Sequence, residues 1–382
     1  MSAAIAFVVG ARPNFMKTAP VYRGIADLAP QLELLLVHTG QHYDADMSDV
    51  FFRDLDLPTP DVVLGVASGT HAEQTARALV GIERILLAEK PALVVVCGDV
   101  NSTLAGALAA VKLHIPVAHI EAGLRSRDRE MPEEHNRRVA DHLSTLLFAH
   151  SSSAVENLES EGIFEGVHLV GNTMIDSLLA HLGAALAARP WVELGVEQGS
   201  YLLVTLHRPS LVDDADCLTA TAHGLTMLAD RLDVVFPVHP RTKARLEQLG
   251  LGRTLRAAGV VVTPPLGYLA FLGLQAEALA VLTDSGGVQE ETSALGVRCF
   301  TLRDTTERPV TVELGTNTLL GRRPERIPEI LDLLSRPCTA DDIPLWDGHA
   351  GRRAAAVLAA AVEPDIDAVV DAAAGRLPVA AE

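Results

Sequence analysis

A chain of 382 residues is too long for one ordinary hydrophobic core and suits two domains. Its residues are 48% hydrophobic but only 4% aromatic, so the core is expected to consist mainly of Ala, Leu and Val. A formal net charge of −18 argues against nucleic acid or an anionic membrane as partner, so any anionic ligand needs specific Arg, Lys, His or amide groups.

The first apolar stretch, in MSAAIAFVVGARPNFMK, has no basic residue before it and has Arg12 and Lys17 close behind, which predicts a buried strand rather than a signal peptide. A helix is expected from about Lys17. An Arg at a strand end beside a helix N-terminus suits a phosphate, although solvated surface cations are the commoner case for any single Arg or Lys. LELLLVHTG is a second strand that ends near His38. ALVVVCGD ends on Asp99, with Asn101, Ser102 and Thr103 expected to cap the helix STLAGALAAVKLH, and a capping role is the competing reading of Asp99 itself. PVAHIEAG ends at Glu121, and the charged loop after it brings Glu133 and Glu134 to a helix that also carries Arg137. Carboxylates near one cleft can have their pKa values driven apart, which supports acid and base roles; clustering of surface charge competes with that reading. LLFAHS and VHLVG complete this series.

A second series begins after GNTMIDSLL, residues 171–179: YLLVTLHRP, LDVVFPVHP, GVVVTPPL, ALAVLTDSGG and RCFTLRD. Continuous apolar runs alternating with helices predict an α/β fold with two doubly wound parallel sheets, each covered on both faces. In such sheets ligands lie beyond the carboxyl ends of the strands, where Gly10, Arg12, His38, Asp99, Glu121, His207, His239, Asp284 and Ser285 all fall. In VLTDSGGVQEETSALG the Ser285, Gly286 and Gly287 amides at a helix start suit a diphosphate, and a Glu about a turn later suits a sugar's hydroxyls. The alternative is a plain capped turn. Arg303, Asp304, Glu307 and Arg308 are expected in a polar loop closing one side of a nucleotide pocket.

No GxGxxG opens a helix, which argues against an NAD-dependent mechanism; no HExxH occurs, and no metal site is assigned. No GxSxG elbow supports a serine hydrolase. Cys97, Cys217, Cys299 and Cys338 are scattered without a CxxC pair, as in reduced cytosolic proteins, and no uncharged run reaches membrane-spanning length. A cytoplasmic location is expected.

The ordered segments GARPNFMKTAP, TGQHYD, CGDVNSTLAGALAA, HIEAGLRS, MPEEHNRR, GNTMIDSL, TLHRP, TDSGGVQEE and RDTTERP resemble the non-hydrolysing UDP-N-acetylglucosamine 2-epimerases from about residue 5 to about residue 360. The resemblance implies a GT-B fold: a Rossmann-like domain over residues 1–172, completed by a C-terminal helix at about 355–372, a second over 173–354, and the active site in the cleft between them. It implies a cytoplasmic homodimer in polysaccharide or amino-sugar biosynthesis, with a UDP-sugar as ligand and no cofactor. By position, Arg12, His207, Ser285, Gly286, Gly287 and Arg308 match contacts around UDP, and Glu291 matches the ribose carboxylate. Lys17, Asp99, Glu121, Glu133 and Arg137 match the sugar-side cluster, and Phe271 an apolar position near the uracil. Gln41 and His42 match a possible activator site. Asn14 and Phe15 replace the family's usual Glu-Ala, and the loop before Glu133 also departs from the common spelling.

The implied reaction is reversible epimerisation at C2 through loss and re-addition of UDP. A 2-epimerase of a related UDP-sugar, a hydrolysing epimerase, a GT-B glycosyltransferase and a non-catalytic UDP-sugar sensor are the alternatives.

Overall fold

The computed structural model describes residues 4–40, 57–338 and 340–363, apart from the side chain of Arg12. The chain divides into two compact units, Met1–Ser177 with Pro344–Glu382, and Leu178–Ile343.

The first unit holds β1 (Ala4–Val9), β2 (Glu33–His38), β3 (Val62–Val63), β4 (Leu93–Cys97), β5 (Val117–Ala122), β6 (Leu146–Ala149) and β7 (Val167–Leu169). Their order across the sheet is β3-β2-β1-β4-β5-β6-β7, and every pairing is parallel. The central segments LVVVC and VAHIEA are buried along their whole length, as strands with helices on both faces must be. Chain order reverses between β1 and β4, so Gly10 and Gly98 lie at the switch point where such sheets open a crevice.

The helix after β1 spans Arg12–Leu28, starting five residues before the position expected from the sequence. Pro13 presets the backbone of its first turn, and the Asn14 side chain accepts hydrogen bonds from the Gly10 and Ala11 amides at 3.1 Å each. The helix His71–Glu89 has a reciprocal cap: Thr70 Oγ1 accepts from the Glu73 amide, and the Glu73 carboxylate accepts from the Thr70 amide. The returning C-terminal helix is described over Ala350–Val362 and packs along Arg12–Leu28. Asp176 secures its start by accepting from the Ala350 and Gly351 amides at 3.1 and 2.6 Å. Residues 364–382 lie outside the described residues.

The second unit holds β8 (Tyr201–Thr205), β9 (Asp233–Pro237), β10 (Val261–Thr263), β11 (Ala280–Thr283), β12 (Arg298–Thr301) and β13 (Asn317–Leu319), all parallel, in the order β10-β9-β8-β11-β12-β13. Strand alternation feeds two cores: Leu202, Val204, Phe236, Leu282 and Phe300 enter one, while Tyr201, Leu203, Val235 and Val281 enter the other. The switch point lies between β8 and β11, which brings His207 and Ser285 together.

The two-sheet α/β architecture agrees with the expected fold class. The sequence reading omitted β3 and β13, edge strands of two and three residues that carry too short an apolar run to register. Arg303, Asp304, Glu307 and Arg308 lie in a loop after β12, as expected, and a short helix, Val310–Glu313, and β13 follow it. Among the described residues no helix is long and apolar enough to cross a membrane.

Candidate functional site

In the first unit, β4 is followed by Gly98, whose φ of +66° is the left-handed conformation that glycine adopts without a side-chain penalty. A Cβ added there would lie 3.2 Å from Glu121 Oε2 and 3.7 Å from Lys17 Nζ, so the turn also gives room to the charges beside it. Glu121 is itself left-handed, with φ +70°, and the register between β5 and β6 shifts between Ile120 and Ala122. A bulge re-aims one side chain of an otherwise alternating strand, and a positive φ at a non-glycine residue stores strain, a combination that marks functional positions. Lys17, from the helix after β1, donates to Glu121 Oε2, and both side chains are nearly buried.

Asp99 is the counterpart just after β4. It does not cap the next helix: Val100 holds the cap position, without a side-chain bond, and Asn101, Ser102 and Thr103 form the first helical turn. Instead Arg137 donates to Asp99 Oδ2 with one Nη and to Glu134 Oε2, at 2.7 Å, with the other. Glu134 also accepts from the Ser126 amide and hydroxyl at 2.8 and 2.9 Å. Burial works against its charge, but the Ser126 bonds and Arg137 outweigh it and hold the carboxyl below its usual range. Behind this cluster, His119 contacts the Gly98 carbonyl through Nε2 and Asp141 through Nδ1, each at 2.7 Å, and Arg125 donates to Asp141 at 2.7 Å.

In the second unit, Asp284 is buried at the end of β11. It does not cap its own helix but accepts from the backbone amides of His207 (2.9 Å) and Arg208 (2.8 Å), while His207 Nδ1 lies 3.1 Å from Oδ1. Asp284 therefore fixes the loop after β8, leaving the His207 side chain 39% exposed. The His239 ring lies 5.6 Å from that of His207, and its Nδ1 accepts from the Arg241 amide at 3.3 Å, a helix cap.

Ser285 stands at the N-cap of the helix Gly286–Leu295 without a side-chain cap. Its amide donates to Thr283 Oγ1, and the helix beyond presents the positive end of its dipole. A Cβ on Gly286 would come within 2.3 Å of Arg308 Nη1 and 2.9 Å of Glu307 Oε1. Glycine is needed here for that close approach. Arg308 sits between two buried carboxylates, Glu290 at 2.9 Å and Glu307 at 2.5 Å. Glu307 also receives Arg303 at 2.6 Å; burial opposes its charge, but Arg308, Arg303 and Arg208 hold its carboxyl well below the usual range.

Glu291 has the opposite environment. Burial pushes it up to about 7, with Gln275 opposing and the charge of Glu290 reinforcing the rise. Adjacent glutamates thus differ: Glu290 pairs with an arginine, and Glu291 is a buried carboxyl near neutrality. Phe271 packs against the core cluster of Leu274 and Trp191.

The structure brings together Lys17, Asp99, Glu121 and Arg137 in one unit, and His207, His239, Ser285, Gly286, Gly287 and Arg308 in the other. Glu133 is half-buried on the first turn of its helix and, among the described residues, makes no hydrogen bond or ion pair with the cluster. Gln41 and His42 lie outside the described residues, as does the Arg12 side chain. His38 is a neutral packing residue: burial lowers it to about 4, and its ring lies against Phe15. Glu134 and Asp284 were among the candidates in the sequence, but their holding roles, and those of Asn14 and Arg208, depend on partners that no local signal names. Among the described residues no three His, Cys, Asp or Glu side chains gather in a way that could hold a metal ion.

A family model described as UDP-N-acetylglucosamine 2-epimerase matches residues 26–359. The chain is 42% identical over 361 residues to a UDP-N-acetylglucosamine 2-epimerase of Methanocaldococcus jannaschii, covering 93% of this chain and 98% of that one. It is 43% identical over 359 residues to a UDP-2,3-diacetamido-2,3-dideoxy-D-glucuronate 2-epimerase of Pseudomonas aeruginosa, covering 92% and 98%. The crystal structure of the M. jannaschii UDP-GlcNAc 2-epimerase in complex with UDP-GlcNAc and UDP superposes with a TM-score of 0.85 over 94% of this chain and 99% of that one. The fold is of GT-B type.

Proposed function

The chain belongs to the UDP-N-acetylglucosamine 2-epimerase family and is an isomerase; from that premise we propose that it interconverts UDP-N-acetylglucosamine and UDP-N-acetylmannosamine through 2-acetamidoglucal. The observation that carries this reading is the pair Asp99 and Glu121, at the ends of the adjacent strands β4 and β5, each beside a buried cation.

No carbonyl activates the C2 hydrogen of the sugar, so a carboxylate alone cannot remove it at neutral pH. When the bond from C1 to UDP breaks, its electrons leave with the diphosphate and positive charge grows on C1 and the ring oxygen. The neighbouring C2–H becomes acidic, and its loss to a carboxylate forms the C1–C2 double bond. A proton delivered to the opposite face of C2, with return of the UDP oxygen to C1, gives the epimer. Stabilising the departing diphosphate is a large part of such catalysis. We assign that work to Arg12, His207, Arg308 and the Ser285–Gly287 amides, and the ribose hydroxyls to Glu291.

Two proton carriers are needed, one for each face. Asp99 and Glu121 fill those roles, with Glu133 as a third carboxylate, and Lys17 and Arg137 hold them in place. The route requires neither a nicotinamide nor a metal ion. Phe271 borders the uracil in this reading, His239 lies beside the diphosphate contacts, and Gln41 and His42 are the activator candidates. The protein is read as a cytoplasmic homodimer.

A specific observation favours a second sugar: identity to the P. aeruginosa glucuronate-type epimerase, 43%, matches that to the M. jannaschii enzyme, 42%. Proton NMR in D2O with each UDP-sugar tests both. Deuterium entering C2, an equilibrium mixture of epimers and no accumulating UDP are expected, and the faster substrate identifies the sugar. Stoichiometric UDP with free sugar would replace the reading by hydrolysis. Absence of exchange with either sugar would favour a transferase or a sensor.

A further inference from the structure

The loop between β5 and the helix Pro132–Leu143 borders a cavity of about 670 Å³ in the first unit, within the size range of small-molecule sites. Four arginines line it, Arg125, Arg127, Arg129 and Arg138, against two glutamates, Glu134 and Glu161. Both glutamates already have partners. Glu134 binds Arg137 and Ser126, and Glu161 receives the two-pronged fork of Arg125 at 2.9 and 2.8 Å. Arg125 gives its remaining Nη to Asp141 and to the Leu124 carbonyl, so it is a fixed part of the wall.

The other three guanidiniums are underused. Arg127 has one long contact, 3.4 Å to Asn157. Arg138 reaches Glu161 at 3.3 Å, a carboxylate it shares with the fork of Arg125. The Arg129 side chain has no hydrogen bond or ion pair among the described residues. Two acids of the same loop, Asp128 and Glu130, do not line the cavity, and Asp128 Oδ1 is turned to the Glu130 amide. A positive surplus is thus gathered in a chain whose formal charge is −18.

We propose that this cavity binds a phosphate-bearing anion, held by Arg127, Arg129 and Arg138. Guanidinium forks match phosphate oxygens in pairs, and three of them around one space suit an anion of more than one charge better than a single carboxylate. None of the three belongs to the groups assigned to the UDP-sugar, and the inference stands independently of the epimerase reading. Glu134 also holds Arg137, the partner of Asp99, so the cavity wall lies one side chain from that carboxylate's cation.

The test is calorimetric titration of inorganic pyrophosphate into the full-length protein saturated with UDP, at fixed ionic strength. Wild type, the Arg129→Ala/Arg138→Ala double variant and Arg127→Gln are compared, with sulfate as a simple dianion. One pyrophosphate per chain is expected, binding more tightly than sulfate. Each variant should weaken it, the double variant by about tenfold or more, with UDP affinity kept within about twofold as the check on folding. Absence of pyrophosphate binding to the UDP-saturated wild type would overturn the proposal, as would unchanged affinity in all variants. Should UDP itself not bind, the same titration without UDP reads this site through the same variants, so the two readings fail separately.

Discussion

The carboxylates of the two units are held in opposite ways. Glu121 and Asp99 each have a cation, Lys17 and Arg137, delivered from a helix to a strand end. Glu291 has none. The nearby cations of its unit, Arg208, Arg303 and Arg308, face Glu307 and Glu290, and burial leaves Glu291 near neutrality. Groups that exchange protons with carbon need a fixed position and a defined charge before substrate arrives. A group that accepts hydroxyls can wait for its ligand and complete its ionisation on binding.

Asp99→Asn and Glu121→Gln test the first half of that contrast most severely. Each is expected to lower kcat by roughly 10³-fold, the scale of lost acid–base catalysis, with UDP affinity within about twofold. Steady-state NMR for turnover and calorimetry for UDP separate the two quantities. If UDP binding collapsed in step with kcat, these carboxylates would belong to binding and the contrast would dissolve.

Glu291→Gln tests the other half. UDP affinity should fall by about ten- to a hundredfold, the loss of charge-assisted bonds to two hydroxyls, with a far smaller change in kcat at saturation. The wild type should bind UDP more tightly as pH rises from 6 to 8, because only the ionised Glu291 accepts both hydroxyls, and the variant should lose that slope. Stability runs the other way. With its folded pKa raised to about 7, Glu291 contributes stability that is fully present below its unfolded pKa and is lost as pH rises through about 7. Thermal midpoints of wild type and variant across pH 4 to 8 should lie close at the acid end, where Glu291 is neutral like Gln, and separate as pH rises, with the wild type falling; a constant gap would show that burial does not set this group's charge.

Gly286→Ala should act on both stability and ligand. The added Cβ meets Arg308 and Glu307, which are tethered and cannot retreat cheaply, so about 1–3 kcal/mol of destabilisation is expected together with weaker UDP binding. Denaturant midpoints and UDP titration measure the two effects. The smallest expected effect belongs to Thr70→Ala, which removes a reciprocal helix cap whose two side chains bond neither group of carboxylates, and which should cost about 1 kcal/mol with kcat unchanged. A large loss of activity there would mean that stability alone governs turnover, and the other variants would need reinterpreting.

Much of this was legible in the chain. Apolar runs such as ALVVVCGD and YLLVTLHRP are long enough to mark buried parallel strands, and the polar residues that follow them had to fall at the carboxyl ends. The turn TDSGG announced close backbone approach through its glycines. The edge strands Val62–Val63 and Asn317–Leu319 were illegible because their pairing, more than their composition, makes them strands. The helix start at Arg12 was missed because Asn14 satisfies the Gly10 and Ala11 amides, a bond that spacing alone does not announce.

Period and punctuation along the sequence determined the two α/β sheets and the strand ends where His207, Asp99 and Ser285 sit, since burial on both faces leaves only one kind of strand. Tertiary structure alone decided the partners. Lys17 meets Glu121 across 104 residues, and Arg137 meets Asp99 across 38. It also decided between neighbours: Glu134 takes Arg137 while Glu133 does not, and Glu290 takes Arg308 while Glu291 stands apart. Adjacent residues on a helix point about 100° apart, so in a paired glutamate only one side chain can face a given partner. Which one does so is fixed by how the helix lies on its sheet, a property that no pair of identical letters contains.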